Sequence, residues 1–84
     1  MQVIICYDVD NNKVRRKLVK YLESFAVRIQ YSVFVSDLSD RAIKRANIYA
    51  RELLKECANA RFVIFKTHDN GVADSKMPPG FVYI

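Results

Sequence analysis

Val27-Arg28-Ile29-Gln30-Tyr31-Ser32-Val33-Phe34-Val35-Ser36-Asp37-Leu38 is the stretch on which the fold turns. Val27, Ile29 and Tyr31 alternate with Arg28, Gln30 and Ser32, the period of two expected of a half-buried strand. Val33 to Leu38 keeps the strand character without a glycine or proline. Taken alone, the stretch is either one long strand or a very tight hairpin turning near Ser32. That choice sets the number of strands, and with it the topology.

On its N-terminal side the period changes. Val14, Leu18, Tyr21, Leu22 and Phe25 fall at helical spacing and make one apolar stripe over residues 13–25. Lys13, Arg16, Lys20 and Glu23 point away from the stripe, with Arg15 and Lys17 at its edges. Asp10, Asn11 and Asn12 ahead of it supply turn chemistry and an N-cap. Before them, Gln2 to Tyr7 is a continuous apolar run ended by Asp8, as expected of a central strand covered on both faces.

On the C-terminal side Ser39 is a natural N-cap. Ile43, Ala46, Ala50, Leu53, Leu54 and Cys57 then form the inner stripe of a second helix, with Arg41, Lys44, Arg45 and Arg51 largely outside it. Asn59 supplies a stop, and Arg61 to Thr67 is another strand. Residues 68–80 hold both prolines and both glycines and read as a loop. Phe81 to Ile84 is a candidate fifth strand.

The order is β-α-β-β-α-β. With a hairpin in the middle it is the ferredoxin-like split βαβ arrangement, an α+β fold with two helices on one face of an antiparallel sheet. Val3, Ile5 and Tyr7 share one side of the first strand, and Ile4 and Cys6 share the other. A small sheet that is apolar on both faces, with helices on only one, predicts a homodimer. With 84 residues and no repeats or linkers, residues 1–84 make one domain.

Composition narrows the classes of function. Half the residues are hydrophobic, which argues against disorder, and no apolar run approaches the roughly 20 residues needed to span a bilayer. No basic region precedes Val3 to Tyr7, so the run is not read as a signal peptide. Cys6 and Cys57 lack metal-ligand spacing and read as reduced core residues of a cytoplasmic protein. The formal charge of +5 favours an anionic partner. Lys13, Arg15, Arg16, Lys17, Lys20 and Arg28 are six of the fourteen cations and follow closely on Asp8, a distribution that points to a nucleic-acid backbone rather than a membrane.

There is no Gly-rich phosphate loop, no HExxH and no set that the one histidine could complete as a Ser-His-Asp triad. His68, beside Asp69, is a solvated loop histidine or, less simply, a ligand or general acid. Asp8, at the carboxyl end of a central strand beside a helix N-terminus, is either a carboxylate held by the helix dipole or a Mg²⁺ ligand. Asp10 is the alternative ligand and the better capping residue. Arg15, Arg16, Lys17, Lys20 and Arg28 are candidate phosphate contacts, against the plain reading of a solvated face. Tyr7, Tyr31 and Phe34 are aromatics close by, read first as core packing and second as base stacking.

Taken together, Cys6-Tyr7-Asp8, the helix opening Lys13-Val14-Arg15, and Arg28-Ile29-Gln30-Tyr31-Ser32-Val33-Phe34 resemble the small universal CRISPR-associated adaptation protein family. The likeness is close over residues 1–38 and is one of element order beyond them. It implies a hairpin within residues 26–38, a terminal Phe81–Ile84 strand pairing with a partner subunit, and a homodimer placing one Asp8 from each copy about a Mg²⁺ ion. It also implies that Tyr7, Arg15, Arg28 and Phe34 are active-site or nucleic-acid contacts. Lys17 stands where the family often has a second helix arginine, and Val35 where an acidic residue is frequent.

Two functions follow from that resemblance. One is a Mg²⁺-dependent endonuclease on RNA or DNA, with Asp8, Tyr7, Arg15, Arg28 and Phe34 at its site. The other is a non-catalytic adaptor that bridges dimers of a CRISPR integrase during spacer acquisition, part of an antiviral defence. A toxin-like endoribonuclease outside any CRISPR locus is the further alternative.

Overall fold

Residues 27–38 fold as a hairpin in the computed structural model, which describes residues 1–67. Six elements follow in order: β1 (Gln2–Asp8), α1 (Asn12–Glu23), β2 (Val27–Gln30), β3 (Val33–Asp37), α2 (Asp40–Leu54) and β4 (Arg61–Lys66). The strands pair in the order β2-β3-β1-β4, each pair antiparallel. This is the ferredoxin-like α+β arrangement expected from the element order. The expected loop at 68–80, His68 and the candidate strand Phe81–Ile84 lie outside the described residues.

The Ser39 cap of α2 falls where the sequence predicts it, whereas α1 is capped by Asn11 and not by Asp10, the residue favoured for that role. The Asn11 side chain accepts from the Val14 N–H at 3.0 Å, and the Ser39 hydroxyl accepts from the Ala42 N–H at 3.1 Å. Each helix ends slightly earlier than its apolar stripe. Phe25 packs on the core from the turn after α1, where the Ser24 hydroxyl donates to the Tyr21 carbonyl at 2.6 Å. Cys57, expected in the inner stripe of α2, instead follows that helix and is only half-buried.

Strand parity divides the apolar residues as the first strand requires. Val3, Ile5, Tyr7 and Phe34 face the helices and join Leu18 and Leu22 in the main core. Ile4, Cys6 and Val33 form a second cluster on the other face, with Ile29, Val35 and Phe65 against it. Val27 and Val63 lie at register positions of this second face, opposite Val35 and Cys6, and are 66 % and 42 % exposed. Tyr31 departs from the core expectation: it sits in the turn and is 72 % exposed.

One irregularity matters for the site. Arg28 opposes Phe34 and Gln30 opposes Val33, so Ile29 is an extra residue in β2. The bulge lets Arg28 lie over the Phe34 ring on the helix side, 5.6 Å from its centroid, while Ile29 joins the opposite cluster.

Candidate active site

The pleat of β1 sends consecutive residues to opposite faces, and this separates Tyr7 from Asp8. Tyr7 is buried on the helix side, and its hydroxyl donates to the Tyr31 carbonyl at 3.0 Å. Burial raises its pKa above the ordinary tyrosine value against the opposing pull of Arg28, so the phenol stays protonated at neutral pH. Asp8, expected to end the strand, is instead its last paired residue, opposite Arg61 of β4. Its side chain is exposed and makes no hydrogen bond or ion pair among the described residues.

A cleft of about 350 Å³ opens at this end of the sheet, lined by Tyr7, Asp8, Val9, Asp10, Arg15, Tyr31 and Ser32. Tyr7, Asp8 and Arg15, singled out in the sequence, meet here. Arg28 lies in the adjoining groove of about 530 Å³ with Arg15, Arg16, Lys20, Glu23 and Tyr31. Phe34 is wholly buried beneath Arg28 and Tyr7, its ring centroid 6.2 Å from that of Tyr7, and touches neither opening. Lys17 is exposed on α1 but outside the groove.

The two arginines nominated for the active site, Arg15 and Arg28, are already engaged. One Arg15 nitrogen donates to the Val9 carbonyl at 2.9 Å and reaches the Asp10 carbonyl at 3.5 Å, while the other binds the Asn12 side-chain oxygen. Arg15 thus clips the loop after β1 to the first turn of α1. Arg28 donates to the Tyr31 carbonyl through Nε at 3.0 Å and Nη2 at 2.6 Å, and it lies 5.4 Å from the centroid of the Tyr31 ring. Both support the walls of the cleft by their own hydrogen bonds. The exposed cations Lys13, Arg16, Lys17 and Lys20 on α1 carry no such bonds among the described residues.

The donor set can be tested against a metal. No group of three or more His, Cys, Asp and Glu side chains comes together among the described residues. What the site does offer is the exposed carboxylate of Asp8, unpaired among the described residues, a hard oxygen donor with Asp10 two residues on. Mg²⁺ commonly takes one or two carboxylates and leaves the other positions to water and substrate phosphate. Asp8, alone or with Asp10, therefore fits the small carboxylate share that a Mg²⁺ site asks of a protein.

Two features escaped the sequence. The Tyr31 carbonyl collects three side-chain bonds, and main-chain oxygens carry no residue-type signal. Arg61 faces Asp8 across the β1–β4 ladder, a pairing that follows only once the antiparallel register is known.

The model of the family described as CRISPR associated protein Cas2 matches residues 1–74. The chain belongs to the Cas2 family. Among curated Cas2 proteins it is similar to a CRISPR-associated endoribonuclease Cas2 from Synechocystis sp., 43 % identical over 53 residues, covering 63 % of this chain and 55 % of that one. A protein of the same description from Methanospirillum hungatei is 41 % identical over 46 residues, covering 54 % and 48 %. The matched segment thus spans about half the length of these Cas2 relatives. A crystal structure of a hypothetical protein from Thermus thermophilus superposes with a TM-score of 0.73 at 28 % identity, covering 80 % of each chain. The Cas2 match takes in all six elements and the whole Asp8 cleft. Among the described residues, no helix is long and apolar enough to cross a membrane.

Proposed function

We propose that this Cas2-family chain is a homodimeric, Mg²⁺-dependent endonuclease acting on RNA, with Asp8 as its metal ligand. The single observation that carries the reading is Asp8 itself: an exposed carboxylate with no partner among the described residues, held at the end of the central strand in a cleft beside basic side chains. A carboxylate that stabilises the fold is expected to have a partner; among the described residues this one has none and is open to a cation. The similar curated proteins are described as endoribonucleases, which favours RNA over DNA.

In hydrolysis, water oxygen bonds to phosphorus, the bond from phosphorus to the leaving sugar oxygen breaks, and protons pass from the attacking water to solvent and from solvent to the leaving oxygen. Bound Mg²⁺ supplies Lewis-acid polarisation of the phosphate and a more acidic water. Asp8 from each of two copies would hold it. The chain's own contribution is to shape the cleft: Arg15 fixes the loop at Val9 and Asp10, Tyr7 and Arg28 fix the hairpin turn at Tyr31, and Phe34 backs both. Arg16, Lys17 and Lys20 draw the nucleic-acid backbone to α1 through their charge.

The test is cleavage of a single-stranded RNA by wild type and Asp8→Asn, with Mg²⁺ and with EDTA. Cleavage that needs both Mg²⁺ and Asp8 upholds the proposal. Equal residual cleavage by the two proteins sinks it.

The basic outer face of α1 favours a second, compatible reading, in which the dimer bridges integrase dimers and lies along DNA during spacer acquisition. That role predicts that Asp8→Asn still binds duplex DNA, still associates with an integrase subunit, and still supports acquisition.

A further inference from the structure

We infer that Arg61 is a phosphate-binding residue of the Asp8 site, holding the phosphate of the bound strand beside that carboxylate. The inference rests on the Asp8 reading above for its place in catalysis, and on the sheet register for its geometry.

Arg61 is the first residue of β4 and Asp8 the last of β1, and the two are directly opposed across the antiparallel ladder. Residues so paired carry their Cβ atoms about 4.5–5.5 Å apart on one face of the sheet. That face is the one bearing Cys6 and Val63, away from the helices. The arginine is exposed. Despite the proximity the two do not close an ion pair; the salt bridges among the described side chains are Lys55 with Glu52 and Lys66 with Asp40.

Arg61 differs from the two engaged arginines of the cleft in having its donors open, and from the other open arginines in lying opposite Asp8. Arg15 and Arg28 spend their guanidinium donors on the main chain of the loop and the turn. Arg61 makes no hydrogen bond, ion pair or ring contact among the described residues, so its five donors remain for an anion. A guanidinium binds two oxygens of one phosphate in a plane, a geometry that a lysine cannot reproduce. A carboxylate and a guanidinium that are both unbonded among the described residues, opposed across one end of the β1–β4 ladder, suit the two needs of a phosphodiester: a cation ligand on one side and direct charge neutralisation on the other. Arg61 gives up no proton in the reaction; it compensates negative charge on the phosphate oxygens.

Two measurements test this on an unstructured RNA oligonucleotide. In the first, kcat and KM are compared for wild type, Arg61→Gln and Arg61→Lys with Mg²⁺. The expected result is a fall of about 100-fold in kcat/KM for Arg61→Gln, with part of the loss restored by lysine. In the second, RNA binding is followed against salt in the Asp8→Asn background, with and without Arg61→Gln. Loss of one phosphate contact to a single strand makes the slope of log K against log salt shallower by about 0.7. A thermal melt of each variant separates contact loss from misfolding. If Arg61→Gln leaves the salt slope unchanged and keeps kcat/KM within twofold of wild type, the inference is overturned. If Asp8→Asn cleaves like wild type, the endonuclease reading fails, and the salt slope alone decides whether Arg61 holds phosphate.

Discussion

The Tyr7 hydroxyl and the Tyr31 main-chain carbonyl lie 3.0 Å apart, and the same carbonyl oxygen takes both Arg28 bonds. Two residues nominated as catalytic thus converge on one backbone atom in the hairpin turn. Their first effect is on the shape of the cleft, and each has a stability cost when removed.

Tyr7→Phe deletes one of those bonds and keeps the buried ring. The expected loss is about 1 kcal/mol, the usual net worth of a hydrogen bond, read as a lower urea midpoint at unchanged slope. Arg28→Gln should be coupled to it, so a double-mutant cycle shows less than the sum of the two losses. A Tyr7→Phe protein of wild-type stability that has lost all cleavage would instead place the phenol among the reacting groups.

Asp8→Asn is expected to leave stability within about 0.5 kcal/mol of wild type, because the side chain is exposed and bonded to nothing among the described residues. Denaturant unfolding checks this directly. A strongly destabilised variant would mean that the carboxylate is structural.

The Cys6 thiol is buried on the face away from the helices, and burial pushes its pKa from 9.0 to about 11. Between those values the unfolded chain has lost the proton and the folded chain has kept it. Stability therefore falls as pH rises from 9 towards 11, by up to about 1.4 kcal/mol per unit from this group. Urea midpoints at pH 8 and 10.5 measure the slope. With a thiol reagent at pH 8, the half-buried Cys57 should react first and Cys6 only on unfolding.

Val63→Asp tests the homodimer. Val27 and Val63 extend the apolar face beyond Ile4, Cys6 and Val33, and a second copy would cover them. Light scattering at micromolar concentration should give twice the chain mass for wild type and the chain mass for the variant. A wild-type monomer would overturn the expectation.

Much of this architecture was legible in the sequence because it rests on local chemistry. The apolar stripes of α1 and α2, the cap at Ser39, a cap within residues 10–12 and the two-sided run Val3–Tyr7 are each decided by neighbours along the chain. Asp8 was legible too, as a carboxylate where a strand meets a helix. The hairpin was legible only as one of two readings until the family resemblance favoured it, since Tyr31-Ser32 contains no turn-forming glycine, asparagine or proline. What holds the turn comes partly from β1, remote in sequence. The engagement of Arg15 and Arg28 was likewise hidden: residue type shows that a guanidinium can bind phosphate, and only three dimensions show which oxygens it already holds. Arg61 was concealed by register alone.

Tyr7 grips both residues of that turn, its N–H donating to the Ser32 carbonyl at 3.2 Å and its hydroxyl to that of Tyr31. A hairpin closed in this way is not an autonomous folding unit. An isolated peptide of residues 27–37 lacks the clasp, so the chain must bring β1 against β3 before the turn is secured. If that long-range pairing forms in the folding transition state, substitutions at Tyr7 slow refolding more than they hasten unfolding, which stopped-flow refolding and unfolding rates of Tyr7→Phe would read.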